Sequence, residues 1–241
     1  MARFHLHPSD WQSQATLDEE ESRHCSQVLR MQLGDTLTAF DGSGKHSLAT
    51  IIECRKNAVR IELGEIIHTP PRTPLITLAQ AVPKGKTMDW IVEKAVELGV
   101  QRIIPLITRH SVVKYDSHEA PKKAEKWQKV ALEACKQCGQ NWMPIIETPQ
   151  SWQTFIQSPR ESLAIIASLA EGASSFKELL EKHPHIEQAT LLVGPEGDFS
   201  PIEIQEAINN GFHPITLGDI ILRSETAALL GLAALRYEYS C

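Results

Sequence analysis

The residues best suited to chemistry lie in two short segments near the C-terminal end, Gly194-Pro195-Glu196-Gly197 and Ile221-Leu222-Arg223-Ser224-Glu225-Thr226-Ala227. The first follows the apolar run Leu191-Leu192-Val193 and precedes a well punctuated helix. Ser200 reads as its N-cap, Pro201 as its first residue, Glu203 as the partner in a capping box and Asn210-Gly211 as its stop. That places the glycine turn at the carboxyl end of a buried strand, the edge where open parallel sheets bind ligands. Two glycines let backbone approach a ligand closely, and Pro195 stiffens the turn. Alone, the tetrapeptide reads as readily as an ordinary strand-to-helix turn.

The second segment removes part of that ambiguity. Leu217-Gly218 ends the next strand, and 221–227 leads into the last helix. Main-chain amides at two adjacent strand ends, with apolar Ile221 and Leu222 beside them, suit a flat aromatic base such as adenine. No GxxxxGK[ST] is present and no GxGxxG follows a strand, so neither loop is a phosphate cradle. The expected ligand is nucleoside-like and lacks phosphates. Ser224 also reads as a cap of the final helix, with Glu225 complementing its dipole.

These loops need a parallel sheet to hold them. Leu75–Val82, 102–108, 163–170, 189–197 and 213–218 read as apolar strands, with helices at 88–98 and about 120–138 between them. Upstream, 35–66 alternates like short strands, with Asp41-Gly42-Ser43-Gly44 as a hairpin loop. Three prolines in 68–74 fit a linker. The expected organisation is a small β-barrel or sandwich over 1–70 and an α/β domain over 75–241. No internal repeat or low-complexity tract interrupts it.

Composition excludes several classes. With 241 residues, 42% hydrophobic and a net charge of −6, the chain is no disordered polyelectrolyte. The longest apolar run, 227–235, is too short to cross a bilayer. The N-terminus lacks a signal-type apolar core, and five cysteines read as reduced thiols, so a cytoplasmic protein is expected. Charge is uneven: 1–71 carries −3, 72–143 carries +5 and 144–241 carries −8. The basic middle reads as a solvated helix face or as a stripe that tracks phosphates. Cys135-Lys136-Gln137-Cys138 has metal-like spacing but no second pair, so no metal is expected. His5/His7 and His183/His185 read as solvated, and no Ser/His/Asp order is recognisable.

VGPEGDFS (193–200) followed by LGDIILRSETAALLGLAAL (217–235) resembles the C-terminal signature of the bacterial 16S ribosomal RNA uridine-N3 methyltransferases, the small-subunit methyltransferase E family of the SPOUT superfamily. HCSQVLR (24–30), Gly34-Asp35, Phe40-Asp41-Gly42, Lys84-Gly85, EKAVELGV (93–100), RHSVVK (109–114), Trp127 and EACKQCG (133–139) also resemble family motifs, in order along the whole chain.

The resemblance implies a small PUA-like β-barrel joined to a SPOUT-type parallel sheet with a C-terminal trefoil knot. It implies S-adenosylmethionine bound in that knot by Leu169, Ala170, Val193, Gly194, Pro195, Glu196, Gly197, Leu217, Gly218, Ile221, Leu222 and Thr226. The third loop of the site is 169–172. It also implies a homodimer acting on 16S ribosomal RNA or the small ribosomal subunit. Uridine N3 must lose a proton before it attacks, which makes Arg223 the expected group for charge stabilisation or substrate orientation. Glu225 and Glu196 are the expected proton acceptors or loop anchors. Arg23, Arg30, Lys84, Arg109 and Lys114 are expected to hold RNA phosphates. Three departures bear on RNA more than on cofactor: Ile220 stands where the family usually has arginine, Asp198 where it has glycine, and Gln140 or Asn141 where it often has arginine. Two other activities fit the same resemblance, ribose 2′-O-methylation and RNA binding in ribosome assembly without turnover.

Overall fold

A computed structural model describes residues 1–158, 163–169 and 172–239. The chain divides into two compact units, Met1–Pro71 with Leu132–Met143, and Arg72–Ala131 with Pro144–Cys241.

In the first unit β1 (Arg3–His5), β2 (Gln14–Thr16), α1 (Glu19–Arg23), β3 (Thr36–Phe40), β4 (Lys45–Arg55) and β5 (Ala58–His68) follow in order. A π-helical turn, His24–Val28, continues α1. The strands form one sheet in the order β1-β3-β4-β5-β2, with β1 parallel to β3 and the other pairs antiparallel. Alternation in β4 buries Ser47, Ala49 and Ile51 and turns intervening residues outward, the period-2 signature of a half-covered sheet. Phe4 of β1 and Ala15 of β2 enter the same core as Leu37, Ile51 and Ile61, so the sheet curls until both edges share one interior. Asn141 ties the 132–143 segment in: its Oδ1 accepts from Arg3 Nη2 at 2.5 Å and its Nδ2 donates to Thr69 Oγ1 at 2.8 Å. A position expected to meet RNA therefore has a structural task in this chain.

From β6 onward the chain runs β6 (Leu75–Ala81), α2 (Thr87–Glu97), β7 (Arg102–Ile107), α3 (Glu119–Cys138, its end counted with the first unit), β8 (Ile145–Ile146), β9 (Gln150–Ser151), α4 (Trp152–Ile156), β10 (Leu163–Ala167), β11 (Ser174–Ser175), α5 (Phe176–Lys182), β12 (Gln188–Val193), α6 (Pro201–Asn209), β13 (His213–Thr216) and α7 (Ser224–Tyr239), and all but that end of α3 belongs to the second unit. Its eight strands are all parallel, in the order β11-β13-β10-β12-β6-β7-β8 with β9 also on β7. The strands at 163–170, 189–197 and 213–218 are shorter than their apolar runs, because each run continues into the loop beyond. Five consecutive buried residues in β12 show a strand covered on both faces.

The last helix sets the topology of the site. After β13 the chain passes β10 and brings α7 against β12, β6 and α2. The buried residues of α7 are Ser224, Ala228, Gly231, Leu232, Leu235 and Arg236, one face at helical spacing. Arg236 closes the far end by donating from Nε to the Leu98 carbonyl at 3.2 Å and from Nη2 to the Gly99 carbonyl. Among the described residues no helix is long and apolar enough to cross a membrane.

Candidate functional site

The carboxyl ends of β13, β10 and β12 open onto one cavity of about 370 Å³. Strand order corrects the sequence expectation at this point. The loops after β12 and β13 do not spring from adjacent strands, since β10 lies between them. Its loop supplies the third wall, with Ala167, Ser168 and Leu169 lining the cavity.

The glycine turn after β12 is held from four sides. Ser224, at the start of α7, donates from Oγ to the Gly194 carbonyl at 2.5 Å and accepts from Gln80 Nε2 at 2.8 Å. Lys84 N donates to Glu196 Oε1 at 3.1 Å from the loop after β6. His110, after β7, lies with Nδ1 3.2 Å from the Gly197 carbonyl and 3.0 Å from that of Asp198, so Nδ1 must carry the hydrogen. Leu169 N donates to Asp198 Oδ2 at 3.4 Å from the loop after β10. Gly194 is closely packed: a Cβ there would lie 3.1 Å from Asp198 Oδ1 and 3.2 Å from the Phe199 ring, so its neighbours would have to give by a few tenths of an ångström. Gly218 has φ +128°, which a side chain rarely adopts.

The helix after the turn is capped as its sequence predicts. Ser200 N donates to Glu203 Oε2 at 2.8 Å, and Ser200 Oγ accepts from Glu203 N. Buried Glu203 also accepts from Arg109 N at 2.8 Å, which ties the loop after β7 to the same helix start.

Ten of the twelve residues expected to hold a cofactor line this cavity: Leu169, 193–197, Leu217, Gly218, Ile221 and Leu222. Ala170 lies outside the described residues. Thr226 does not line it and is exposed. Ser224 and Ala227 face the cavity one helical turn apart, which turns Thr226 away. Ser224 is not a free cap either; its hydroxyl is buried in the contact to Gly194.

Arg223 is exposed at the lip, between cavity residues Leu222 and Ser224, and Glu225 is half-buried in the first turn of α7. Glu196 spends one oxygen on Lys84 N, as a loop anchor does. Lys84, Arg109 and Lys114 are exposed in the second unit, and Arg23 and Arg30 in the first. Sequence reasoning missed Ala167, Ser168 and Thr216 in the wall, and buried Gln80 behind it. Their only signal was position, at or beside the carboxyl ends of parallel strands.

Among the described residues no lysine or arginine lines the wall, while Glu196 and Asp198 contribute carboxylates and most other surface is apolar or main-chain. Such a lining suits a cationic, nucleoside-like molecule of modest size and opposes a phosphate. Elsewhere, burial pushes the Cys135 thiol up to about 12, so it stays protonated at neutral pH. Among the described residues no cluster of three His, Cys, Asp or Glu side chains is arranged to hold a metal.

Residues 71–236 match the family model of the RNA methyltransferase domain, and 17–64 match that of the RNA methyltransferase PUA domain. The chain is 30% identical to the ribosomal RNA small subunit methyltransferase E of Buchnera aphidicola from Acyrthosiphon pisum, over 91% of this chain and 86% of that one. A protein of Legionella pneumophila, solved with bound cofactor SAM, superposes with a TM-score of 0.90 at 34% identity, covering 98% of this chain and 97% of its own. A ribosomal RNA small subunit methyltransferase E from Neisseria gonorrhoeae, bound to S-adenosyl methionine, gives 0.88 at 33% identity with the same coverage.

Proposed function

We propose a function from the premise that this chain belongs to the ribosomal RNA small subunit methyltransferase E family of RNA methyltransferases. The chain transfers a methyl group from S-adenosylmethionine to N3 of a uridine in 16S ribosomal RNA. The observation that carries this reading is the cavity wall, which among the described residues holds two carboxylates and no basic residue, at the ends of three parallel strands.

Main-chain groups of 194–197 and 217–218, with Ile221 and Leu222, would hold the adenosine, and the carboxylates favour the cationic end. S-adenosylmethionine supplies a methyl carbon whose bond to the sulfonium breaks as a nucleophile attacks in line, leaving a neutral thioether. Arg223 at the lip orients the uracil and stabilises the negative charge left when the N3 proton departs. Half-buried Glu225 is the nearest carboxylate in sequence without an anchoring task, and it accepts that proton. The uridine must leave its stack to reach the lip. Lys84, Arg109 and Lys114, with Arg23 and Arg30 of the N-terminal PUA-type unit, contact phosphates and so position the RNA.

The passage of the chain from β13 past β10 to α7 is our candidate for the knotted crossing. We place the protein in the cytoplasm, with its ribosomal substrate, as a homodimer. Exposed Leu230 and Tyr237 on α7 supply apolar surface for a second copy.

The test is to incubate the purified protein with unmodified small subunits and S-adenosylmethionine, then identify the nucleosides by mass spectrometry. N3-methyluridine is expected. Ribose-methylated uridine would establish the 2′-hydroxyl as the acceptor instead, and no methylated nucleoside would leave RNA binding alone.

A further inference from the structure

Asp198, in the turn after β12, has a backbone of the kind glycine adopts most readily. Its φ is +57°, in the left-handed region. Aspartate is tolerated there because a short carboxylate bonds locally, and Asp198 Oδ1 accepts from Phe199 N at 2.8 Å. The other oxygen does what no glycine can. Oδ2 accepts from Leu169 N at 3.4 Å, on the loop after β10. Asp198 and Leu169 both line the cavity, so this carboxylate spans the wall between two of its three loops. The backbone beneath it is steadied by His110, 3.0 Å from the Asp198 carbonyl.

We propose that Asp198 is a positioning residue that holds Leu169 at the cavity wall and makes the cavity prefer a cationic methyl donor to its neutral thioether product. The proposal rests on the reading of this cavity as the S-adenosylmethionine site. Among the described residues no lysine or arginine lines the wall, and the partners of Asp198, the amides of Leu169 and Phe199, leave its charge in place. Glu196, the other wall carboxylate, adds a second negative charge, with one oxygen bonded to Lys84 N. Loss of the positive charge on methyl transfer therefore weakens the hold on the product and favours its exchange.

Calorimetry with S-adenosylmethionine and, separately, S-adenosylhomocysteine tests this on the wild-type chain, Asp198→Gly and Asp198→Asn, alongside thermal unfolding of each without ligand. Asp198→Gly removes the left-handed strain, so its melting temperature is expected to hold or rise. Its affinity for S-adenosylmethionine is expected to fall about fivefold, and that for S-adenosylhomocysteine by less, the charge being half-screened. Asp198→Asn tolerates the same backbone and retains one acceptor. It should narrow the preference for the cationic ligand while holding the neutral one within about twofold of wild type. A preference unchanged in either variant overturns the proposal. Failure of the wild-type chain to bind either ligand overturns the site reading first and this proposal with it.

Discussion

The Ser224 hydroxyl donates to the Gly194 carbonyl at 2.5 Å across 30 residues of sequence. It links the first turn of α7 to the turn after β12, and Gln80 Nε2 completes the chain from within the sheet at 2.8 Å. Both Gln80 and Ser224 are buried, so water does not compete for these groups. Ser224→Ala leaves a buried carbonyl and one amide hydrogen without partners. It should cost about 1–2 kcal/mol in urea unfolding and lower S-adenosylmethionine affinity about tenfold, as α7 loosens from the turn. Unchanged affinity in a destabilised variant would confine this pair to a structural role.

Arg223 adjoins the same contact but points out of it, exposed at the lip and absent from the cavity wall. Cofactor binding and turnover should therefore separate in Arg223→Ala. Calorimetry should give wild-type affinity for S-adenosylmethionine, while single-turnover methylation of small subunits slows about 100-fold, the scale of losing one charge-stabilising donor. Equal loss in both measurements would place this guanidinium on the cofactor instead.

How far these relations were visible in sequence varies with their range. The capping box at Ser200 and Glu203 was legible because its geometry is local and its residue types are few. The glycine turn was legible as a strand-end loop for the same reason. The position of β10 between β12 and β13 was not, since a parallel sheet orders strands by crossovers that no local pattern encodes. Gln80 escaped notice as a polar residue in an apolar strand; only its partner 144 residues away explains it. Thr226 falls outside the cavity wall because the helix phase at 224–227 depends on how α7 docks. The ties of Asn141 to Arg3 and Thr69 likewise join distant residues.

His5 offers a pH prediction for the N-terminal unit. Burial, reinforced by the charge of Lys136, holds its pKa below the usual histidine value. Its ring lies with Nε2 3.3 Å from the Asp41 carbonyl and packs edge-on against Phe40 at 5.8 Å. The folded chain thus keeps His5 neutral at a pH where the unfolded chain protonates it. Its contribution is present above about pH 6.5 and is lost as pH falls through that value towards the lower folded pKa. Urea midpoints measured between neutral and mildly acidic pH should drop more in the wild-type chain than in His5→Asn. Parallel curves would show that His5 titrates alike in both states.

Ile220 is the departure with the plainest consequence for RNA. It is 72% exposed and lines the cavity. An exposed apolar side chain at that lip offers no phosphate or base edge a hydrogen bond. Ile220→Arg adds one cation and buries nothing new, so the fold should be unaffected within about 0.5 kcal/mol. Affinity for small-subunit RNA should rise, and the slope of log affinity against log salt should steepen by about 0.7–0.9, one further phosphate contact. Filter binding across a salt series reads both quantities. A slope identical to wild type would mean that RNA does not pass over this lip, and the role given to Arg223 would fall with it.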